Sequence, residues 1–324
     1  MNYIEAIRQP IHEEMQMFTR TFANALRTDN PMLESVNEYV LLKSGKQLRP
    51  MLTLLSAKIC GSVNEATING ALSLELLHTA SLIHDDVVDD TLERRGKPSI
   101  NARWTNKIAI LSGDYILSKS LGCATKTDDL SILKSIANIG MQLSDGELLQ
   151  LVSAEITESS ESNYFTIIRK KTALLFSTCC EVGALSVKST EESLKHLRDF
   201  GEYLGICFQI KDDIFDYFED INIGKPTGND IRDGKVTLPL IYALLNSADS
   251  EKEQILNWLS EKNFTTENIQ AITLFAHKNG GVEYALQQME VYKNKAIEEL
   301  NSFVDSDVKN ALILCAEYSA SREI

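Results

Sequence analysis

The stretch ELLHTASLIHDDVVDDTLERRGKPS, residues 75–99, ends an apolar run with the acidic motif DDVVD at 85–89. A second motif of the same DDxxD form, DDIFD at 212–216, ends another apolar stretch. On an α-helix, residues i and i+4 share a face, so the first and last aspartates of each motif project together. Like charges placed this way destabilise a helix unless a cation lies between them. Carboxylate and phosphate oxygens suit Mg²⁺, so the pair of motifs predicts two metal clamps on a phosphorylated substrate.

The composition favours a large helical protein with no affinity for nucleic acid. The chain has 324 residues, of which 44% are hydrophobic, 24% are charged, 16 are Gly and 6 are Pro. No proline occurs between Ile100 and Lys225, which indicates helices more than strands and turns. The net charge of −14 excludes nucleic acid as an expected partner, because both molecules are acidic. An anionic substrate must therefore be held by metal ions and a few well-placed Lys and Arg.

The cysteines and the apolar segments predict a cytoplasmic location. None of the six cysteines forms a CxxC pair, so they are expected to be reduced and mostly buried. The first residues, MNYIEAIRQPIHEEM, lack the apolar core of a signal peptide. No apolar segment approaches the roughly 20 residues needed to span a bilayer, so no transmembrane segment is expected.

Apolar residues recur at helical spacing along most of the chain. Three interruptions, at 44–50, 93–98 and 222–239, are rich in Gly, Pro and charge, and no linker-like change of composition appears. We therefore predict one all-α domain over residues 1–324. The predicted helices include 66–92, 107–124, 130–155, 162–187, 190–220, 237–247, 251–261, 266–277, 281–303 and 307–321.

Each acidic motif is followed by a loop that carries cations. Arginine offers a planar fork of donors to phosphate oxygens, and lysine offers a compact charge. This inventory can hold two diphosphates, one through metal ions and one directly. The cations are Arg94 and Arg95 after the first motif, Lys225 and Lys235 after the second, Lys46 and Arg49 in the Gly-Pro loop, and Lys170 with Lys171.

These elements resemble a known family, the trans-isoprenyl diphosphate synthases, also called polyprenyl synthetases. One DDxxD is a weak signal, but two copies with their flanking elements in the family's order are a strong one. The resemblance extends from residue 45 to about residue 244. The matching stretches are GKQLRP (45–50), 75–99, LSGDYILSKS (111–120), GELLQL (146–151), KKTALLF (170–176), FQIKDDIFDY (208–217) and 224–244.

The resemblance implies the isoprenoid synthase fold, an all-helical bundle around a deep central cavity, usually in a homodimer. It implies an enzyme that joins isopentenyl diphosphate head-to-tail to an allylic diphosphate, geranyl or farnesyl, with Mg²⁺. The departing diphosphate itself is expected to take the proton that is lost. One departure is Gln47, which stands where the family usually has Arg.

The same resemblance implies a role for individual residues. Asp85, Asp89 and Asp212 would hold three Mg²⁺ ions on the allylic diphosphate, with Asp86 and Asp216 as further metal candidates. Arg94, Lys171, Lys225 and Lys235 would neutralise that diphosphate. Isopentenyl diphosphate would be bound without metal by Lys46, Arg49, His78 and Arg95. Thr172 and Gln209 would lie along the developing allylic cation.

In this family, the residues four and five positions before the first motif limit the length of the product. Here they are Ser81 and Ala80, both small, which implies a long-chain all-trans product of six to ten isoprene units. Such a product would serve as a quinone side chain and can pass to the membrane. The apolar tunnel that it needs has candidates in Ile136, Ile139, Met141 and Leu175. A short-chain farnesyl or geranylgeranyl diphosphate synthase is the alternative.

Three other classes share part of the pattern. A class I terpene cyclase has the first motif, but normally replaces the second with an Asn/Ser/Glu set. A di-iron bundle needs two Glu-x-x-His pairs, and Glu75 with His78 is the only one here. A non-catalytic subunit of a heteromeric synthase would have no reason to retain both sets of aspartates.

Overall fold

Helices make up most of the described chain, and the predicted all-α fold class is confirmed. The computed structural model describes residues 3–42, 45–94, 96–153, 160–218 and 228–322. A two-residue antiparallel hairpin joins β1 (Glu93–Arg94) to β2 (Lys97–Pro98). The α-helices are α1 (Tyr3–Arg8), α2 (His12–Ala25), α3 (Pro31–Leu42), α4 (Leu48–Cys60), α5 (Glu65–Val88), α6 (Ile100–Arg103), α7 (Asn106–Thr125), α8 (Leu130–Ser153), α9 (Glu161–Ile168), α10 (Leu174–Ser186), α11 (Glu191–Phe215), α12 (Asn229–Arg232), α13 (Leu238–Asn246), α14 (Asp249–Ser260), α15 (Thr266–Lys278), α16 (Gly281–Glu299) and α17 (Asp307–Ser321).

The chain divides into two compact units. The first comprises residues 1–140, 176–198 and 300–314, and the second comprises 141–175, 199–299 and 315–324. The single domain over 1–324 stays a prediction. None of the described helices has the length and apolarity needed to cross a membrane.

Helix α5 is the central helix of the first unit. Most of its residues are buried, Leu72, Leu74, Leu76 and Ile83 among them, which is typical of a helix surrounded by others. It packs along α7 and against α4. The helix ends at Val88, four residues before the predicted end, and Asp90 then adopts a left-handed backbone with φ +48°. This turn ends the helix within the first acidic motif.

In the second unit, the residues of α11 from Asp199 onward present one apolar face to the core. Ile206, Ile210 and Ile214, four residues apart, are buried in a cluster with Leu238 of α13 and Met289 of α16. Other positions of α11 carry Gln209, Asp212 and Asp213. The helical period therefore separates the packing residues from the functional ones.

The structure differs from the predicted continuous helix over 162–187. Between α9 and α10, residues Arg169–Ala173 form a π-helical turn, which contains Lys171 and Thr172. Glycines allow other helices to approach this turn closely. A Cβ on Gly205 of α11 would lie 2.5 Å from the Ala173 Cα, and one on Gly146 of α8 would lie 2.8 Å from the Lys170 Cβ. The turn is thus held by packing on two sides, which local spacing does not reveal, and such turns are frequent at functional sites.

Candidate active site

Both acidic motifs lie at the carboxyl end of a long helix. In each, the first two aspartates belong to the last helical turn, and the third, Asp89 or Asp216, lies directly beyond it. A helix carries a partial negative charge at its carboxyl end, so carboxylates are unfavourable there without a nearby cation. The repeated aspartates predict a bound cation. Their position at the carboxyl ends of helices strengthens that prediction.

In the first unit, Asp86 is the buried member of the first motif and pairs with Arg94. The Arg94 Nε donates to Asp86 Oδ1 at 2.6 Å, and the Asp86 side chain is only 7% exposed. The hairpin that follows the motif brings Arg94 back to the end of α5. Both residues were predicted to bind metal or diphosphate. Their contact favours a role for Asp86 in orienting the Arg94 guanidinium.

The loop after the first motif is held by polar side chains around α6. The Asn101 amide donates to the backbone carbonyls of Asp86 and Thr91, both at 3.1 Å. The Ser99 hydroxyl donates to the Thr91 carbonyl at 2.6 Å. The Asp86 carbonyl also accepts the Thr91 N–H at 2.9 Å. Backbone and side-chain hydrogen bonds therefore hold the turn after the first motif together.

The predicted residues for isopentenyl diphosphate are distributed over α4, α5 and the loops beside them. Arg49 lies on α4, with its guanidinium 5.1 Å from the centre of the Phe176 ring. His78 is half-buried on α5, and Lys46 is exposed just before α4. Arg95 lies outside the described residues. The role of this set stays a prediction.

In the second unit, Asp213 is the centre of a buried hydrogen-bond network. The Tyr164 hydroxyl donates to Asp213 Oδ2 at 2.6 Å, and Gln209 Nε2 donates to Asp213 Oδ1 at 2.8 Å. The Thr172 hydroxyl donates to Gln209 Oε1 at 2.7 Å. Thr172 and Gln209, which the resemblance assigned to the same step, are therefore in direct contact.

Asp212 pairs with Arg322, which directly follows α17. Arg322 Nη2 donates to Asp212 Oδ1 at 2.5 Å and to the Phe208 carbonyl at 2.9 Å. The Arg322 guanidinium also stacks 3.7 Å from the centre of the Phe208 ring. The sequence analysis did not predict a role for this residue. A lone Arg directly after an apolar helix was the available signal.

Asp216 contributes to the local structure as well as to the acidic cluster. Its two carboxylate oxygens accept the backbone N–H groups of Asn229 and Asp230 at 2.8 and 2.9 Å. These donors belong to the first turn of α12, where backbone N–H groups have no partner within the helix. Asp216 thus ties the end of α11 to the start of α12.

Lys171 is held on the π-helical turn by two side chains of α8. Its Nζ is 2.5 Å from Glu147 Oε2 and donates to Gln150 Oε1 at 2.9 Å. A lysine has many rotamers, so these partners reduce the entropy lost when it binds an anion. Glu147 and Gln150, which lie in the stretch 146–151, hold the ammonium group in place.

A cavity of about 1030 Å³ opens beside these residues within the second unit. Apolar side chains, among them Ile168, Ile241 and Leu244, form another part of its wall. One space is therefore lined by a lysine, by oxygen donors and acceptors, by carboxylates and by an apolar surface. Such a mixed polar and apolar lining is expected for a site that binds an amphipathic anion. The predicted site residues that line it are Lys171, Thr172, Gln209 and Lys235, together with Asp213 and Asp230.

Two buried carboxylates of the second unit have raised pKa values, which a nearby cation would lower. Burial raises the pKa of Asp213 well above its usual range, aided by the charge of Asp230 and opposed by its two donors. Burial, with the charge of Asp216, raises the pKa of Asp230 to about 6. A metal ion reverses such shifts because its charge favours the ionised carboxylates. Clustered carboxylates are therefore costly here without a cation.

Oxygen donors of this kind suit Mg²⁺. Across the described ranges, no three His, Cys, Asp or Glu side chains form a ready-made metal cluster. Mg²⁺ is usually bound by one or two carboxylates, with water and substrate phosphates completing its shell. The predicted Mg²⁺ ligands are Asp85 and Asp89 at the end of α5 and, in the other unit, Asp212 at the end of α11, and these assignments stay predictions.

Known proteins resemble this chain over most of its length. The family model for polyprenyl synthetase matches residues 30–274. The chain belongs to the polyprenyl synthetase family. It is 34% identical to heptaprenyl diphosphate synthase component 2 of Bacillus subtilis, over 97% of this chain and 89% of that protein. The family resemblance, the isoprenoid synthase fold class and the trans-prenyltransferase activity predicted from the sequence are confirmed.

Solved structures of polyprenyl synthetases agree with this assignment. A polyprenyl synthase from Caulobacter crescentus, in complex with calcium and isoprenyl diphosphate, has a TM-score of 0.93 and 30% identity, covering 98% of each chain. A geranylgeranyl pyrophosphate synthase from Bacteroides thetaiotaomicron has a TM-score of 0.87 and 42% identity, covering 99% of this chain and all of that one. The relatives therefore include producers of different chain lengths.

Two predicted residues lie outside the site described so far, one of them a diphosphate-binding lysine and the other a tunnel residue. Lys225 lies in the part of the chain that the structure does not describe, between 218 and 228. Met141, a candidate for an internal tunnel, is 63% exposed, so that interpretation is wrong, whereas Ile136, Ile139 and Leu175 are buried. Met141 lies on the outer face of α8, which periodicity alone did not distinguish from the inner one.

Proposed function

We propose that this polyprenyl synthetase condenses isopentenyl diphosphate head-to-tail onto an allylic diphosphate, with Mg²⁺, to give a long-chain all-trans polyprenyl diphosphate. Geranyl and farnesyl diphosphate are the proposed primers, and a quinone side chain is the proposed use. The contact between Thr172 and Gln209, beside Lys171 and the second acidic motif, carries the proposal. This part of the site places cations for a leaving diphosphate and neutral oxygens for a carbocation along one cavity.

The reaction starts when the C–O bond of the allylic diphosphate breaks. Three Mg²⁺ ions, held by Asp85, Asp89 and Asp212, would supply positive charge for the leaving group. Arg94 and Lys171 add fixed charges, with Lys225 and Lys235 as further candidates. Fixed charges are most effective where water is excluded, because solvent screening is then weak. Asp86 contributes by holding Arg94, and Asp216 by closing the turn after α11.

The allylic cation formed in this step is stabilised by neutral or negative groups nearby. These groups must not attack it as nucleophiles. The Thr172 hydroxyl oxygen and the Gln209 carbonyl oxygen meet that need, since each offers lone pairs without a full charge. The double bond of isopentenyl diphosphate, bound through Lys46, Arg49, His78 and Arg95, then attacks the cation. One proton passes to the departing diphosphate, which completes the product.

The proposed product length rests on small residues before the first motif. Ala80 is buried and Ser81 is half-buried, with its hydroxyl bonded to the His78 carbonyl at 2.9 Å. Neither offers the bulk that would end a growing chain early. The Bacillus subtilis relative is named for a heptaprenyl product. The 42% identical Bacteroides structure is named for geranylgeranyl diphosphate, which keeps a short-chain product as the second candidate.

The test is incubation of the purified chain with labelled isopentenyl diphosphate and geranyl or farnesyl diphosphate, with and without Mg²⁺. We expect a ladder of elongated products that ends at six to ten isoprene units and disappears when Mg²⁺ is chelated. Chromatography of the dephosphorylated products measures the lengths. A ladder that ends at geranylgeranyl would contradict only the interpretation of Ala80 and Ser81. No elongation from any primer would contradict the proposed activity.

We also propose a homodimer formed through α7. Ile110, Leu111 and Leu121 on this helix are 44%, 66% and 46% exposed, and burial of exposed apolar side chains against a second copy is favourable. Light scattering should give twice the chain mass of 36.2 kDa. Leu111→Lys should shift the protein to the monomer, whereas Val304→Lys, at a residue 86% exposed elsewhere, should not. A monomeric wild-type chain would contradict the proposal.

A non-catalytic subunit is the remaining alternative, because the Bacillus subtilis relative is named as one component of a synthase. Both sets of aspartates, Lys171 and the Thr172–Gln209 pair are retained here, and a subunit without chemistry does not need them. The elongation assay on the purified chain separates the two, since it contains no second protein. The cytoplasmic location stays a prediction.

A further inference from the structure

Tyr164 lies outside every motif that identified the site, yet it contacts the second acidic motif directly. It belongs to α9, and its side chain is 6% exposed. Its hydroxyl donates to Asp213 Oδ2 at 2.6 Å, and Asp213 is itself 5% exposed. A hydroxyl and a carboxylate removed from water in this way are costly to bury unless they pair with each other. The bond therefore holds the Asp213 carboxylate in one orientation.

The held carboxylate determines the orientation of the Gln209 amide. With Oδ2 of Asp213 occupied by Tyr164, Oδ1 accepts the Gln209 Nε2 at 2.8 Å. The amide nitrogen is thereby directed toward Asp213, and the carbonyl oxygen is directed toward Thr172. An amide has donors at one end and an acceptor at the other, so one good acceptor for the nitrogen fixes both ends. A freely rotating carboxylate would not hold the amide in this way.

The orientation of this amide matters for the charge of the reaction. In the observed orientation, the Gln209 oxygen and the Thr172 hydroxyl oxygen form a pair that can stabilise positive charge. In the reversed orientation, the amide N–H groups would take the place of the carbonyl oxygen and oppose positive charge. Dipoles that are already aligned contribute more than dipoles that must reorient during the reaction.

We propose that Tyr164 is a positioning residue that acts through Asp213 to keep the Gln209 carbonyl directed toward the allylic cation. The inference rests on the proposed function, because it assigns Gln209 to the same step. Tyr164 touches no reacting atom in this account. Its removal should therefore slow ionisation of the allylic substrate and leave the binding of isopentenyl diphosphate unchanged.

The test compares two tyrosines that each donate to a carboxylate in the second unit. Tyr164→Phe removes the donor to Asp213, and Tyr284→Phe removes a matching 2.7 Å bond to Glu161. We expect Tyr164→Phe to lower kcat by about 10- to 100-fold, as for other groups that orient a functional side chain. Tyr284→Phe should leave kcat within about twofold of wild type. The KM for isopentenyl diphosphate and the Mg²⁺ concentration for half-maximal rate should not change in either.

A double-mutant cycle shows whether Tyr164 acts through Gln209. If it does, Tyr164→Phe combined with Gln209→Leu should be no slower than Gln209→Leu alone, because the amide it orients is absent. Losses that multiply would overturn the inference, as would a Tyr164→Phe kcat within about twofold of wild type. A loss confined to Mg²⁺ dependence would overturn it as well. Absence of elongation by wild type would instead contradict the proposed function.

Discussion

Replacing Asp85 by Ala is expected to lower kcat for elongation by about 10³-fold, and Asp212→Ala by a similar factor. Each aspartate is proposed to hold Mg²⁺ on the leaving diphosphate. Loss of a metal ligand removes several kcal/mol of stabilisation from the transition state, and roughly 1.4 kcal/mol corresponds to a factor of ten. The fold should survive, because the two aspartates lie at the ends of α5 and α11, away from the apolar cores.

The kcat is measured with labelled isopentenyl diphosphate at saturating substrate over a range of Mg²⁺ concentrations. Asp249→Ala is the matched control, since its side chain is 98% exposed on α14. Circular dichroism and denaturant unfolding of all three variants separate loss of activity from loss of structure. Near wild-type rates in Asp85→Ala or Asp212→Ala would exclude the proposed metal ligands.

The Asp212→Ala variant also tests the ion pair between Asp212 and Arg322. In Asp212→Ala the guanidinium loses its carboxylate partner, although its contacts with the Phe208 ring and carbonyl can persist. A single buried charge without a partner is destabilising. We therefore expect a small loss of unfolding free energy in Asp212→Ala. Measuring the unfolding free energy and kcat of this variant together separates the structural contribution of the Asp212–Arg322 pair from the contribution of Asp212 to catalysis.

Replacing Gly205 by Ala should lower both stability and activity. The added Cβ would lie 2.5 Å from the Ala173 Cα and 3.2 Å from the Ala173 carbonyl oxygen, so the backbone of the π-helical turn must move. The cost of overpacking exceeds the gain in helix propensity, for a net loss of about 2 kcal/mol in unfolding free energy. Thr172 precedes Ala173, and a misplacement of about 1 Å can cost roughly 100-fold in kcat.

The control for this prediction is the same substitution on α8. A Cβ on Gly140 would meet only the Leu77 side chain, at an ordinary contact distance of 3.7 Å. Gly140→Ala should therefore stabilise the chain by up to about 1 kcal/mol through helix propensity. Unfolding in denaturant measures both free energies, and steady-state assays measure kcat. Equal effects of the two substitutions would show that the approach of α11 to the π-helical turn is not under strain.

Much of the fold was predictable because helical periodicity is a local property. Helix α17 begins and ends at the predicted residues, and α7, α13 and α15 agree with the prediction to within one residue. The error over 162–187 has a physical cause. A π-helical turn is stabilised by what packs against it, and Gly146 and Gly205 lie far away in the sequence.

The candidate site was predictable in part. Asp85 and Arg94 were found from the acidic motif and the cations that follow it, Thr172 and Gln209 came only from the family resemblance, and the structure brings Thr172 and Gln209 together. Other residues of the candidate site were not predicted, because they belong to no motif. Tyr164 looks like an ordinary core aromatic, and Arg322 looks like a charge at a chain end. Their partners, Asp213 and Asp212, lie 49 and 110 residues away.

The sequence by itself determined the all-α class, the family and the two acidic clusters, since periodicity and motif order are properties of neighbouring residues. Only the tertiary structure decided what each carboxylate does. Asp86 pairs with Arg94, Asp213 accepts a hydrogen bond from Gln209, and Asp216 accepts backbone N–H groups of α12, although all three belong to copies of the same motif. Burial and hydrogen-bond partners set these roles, and both depend on residues that the fold brings together.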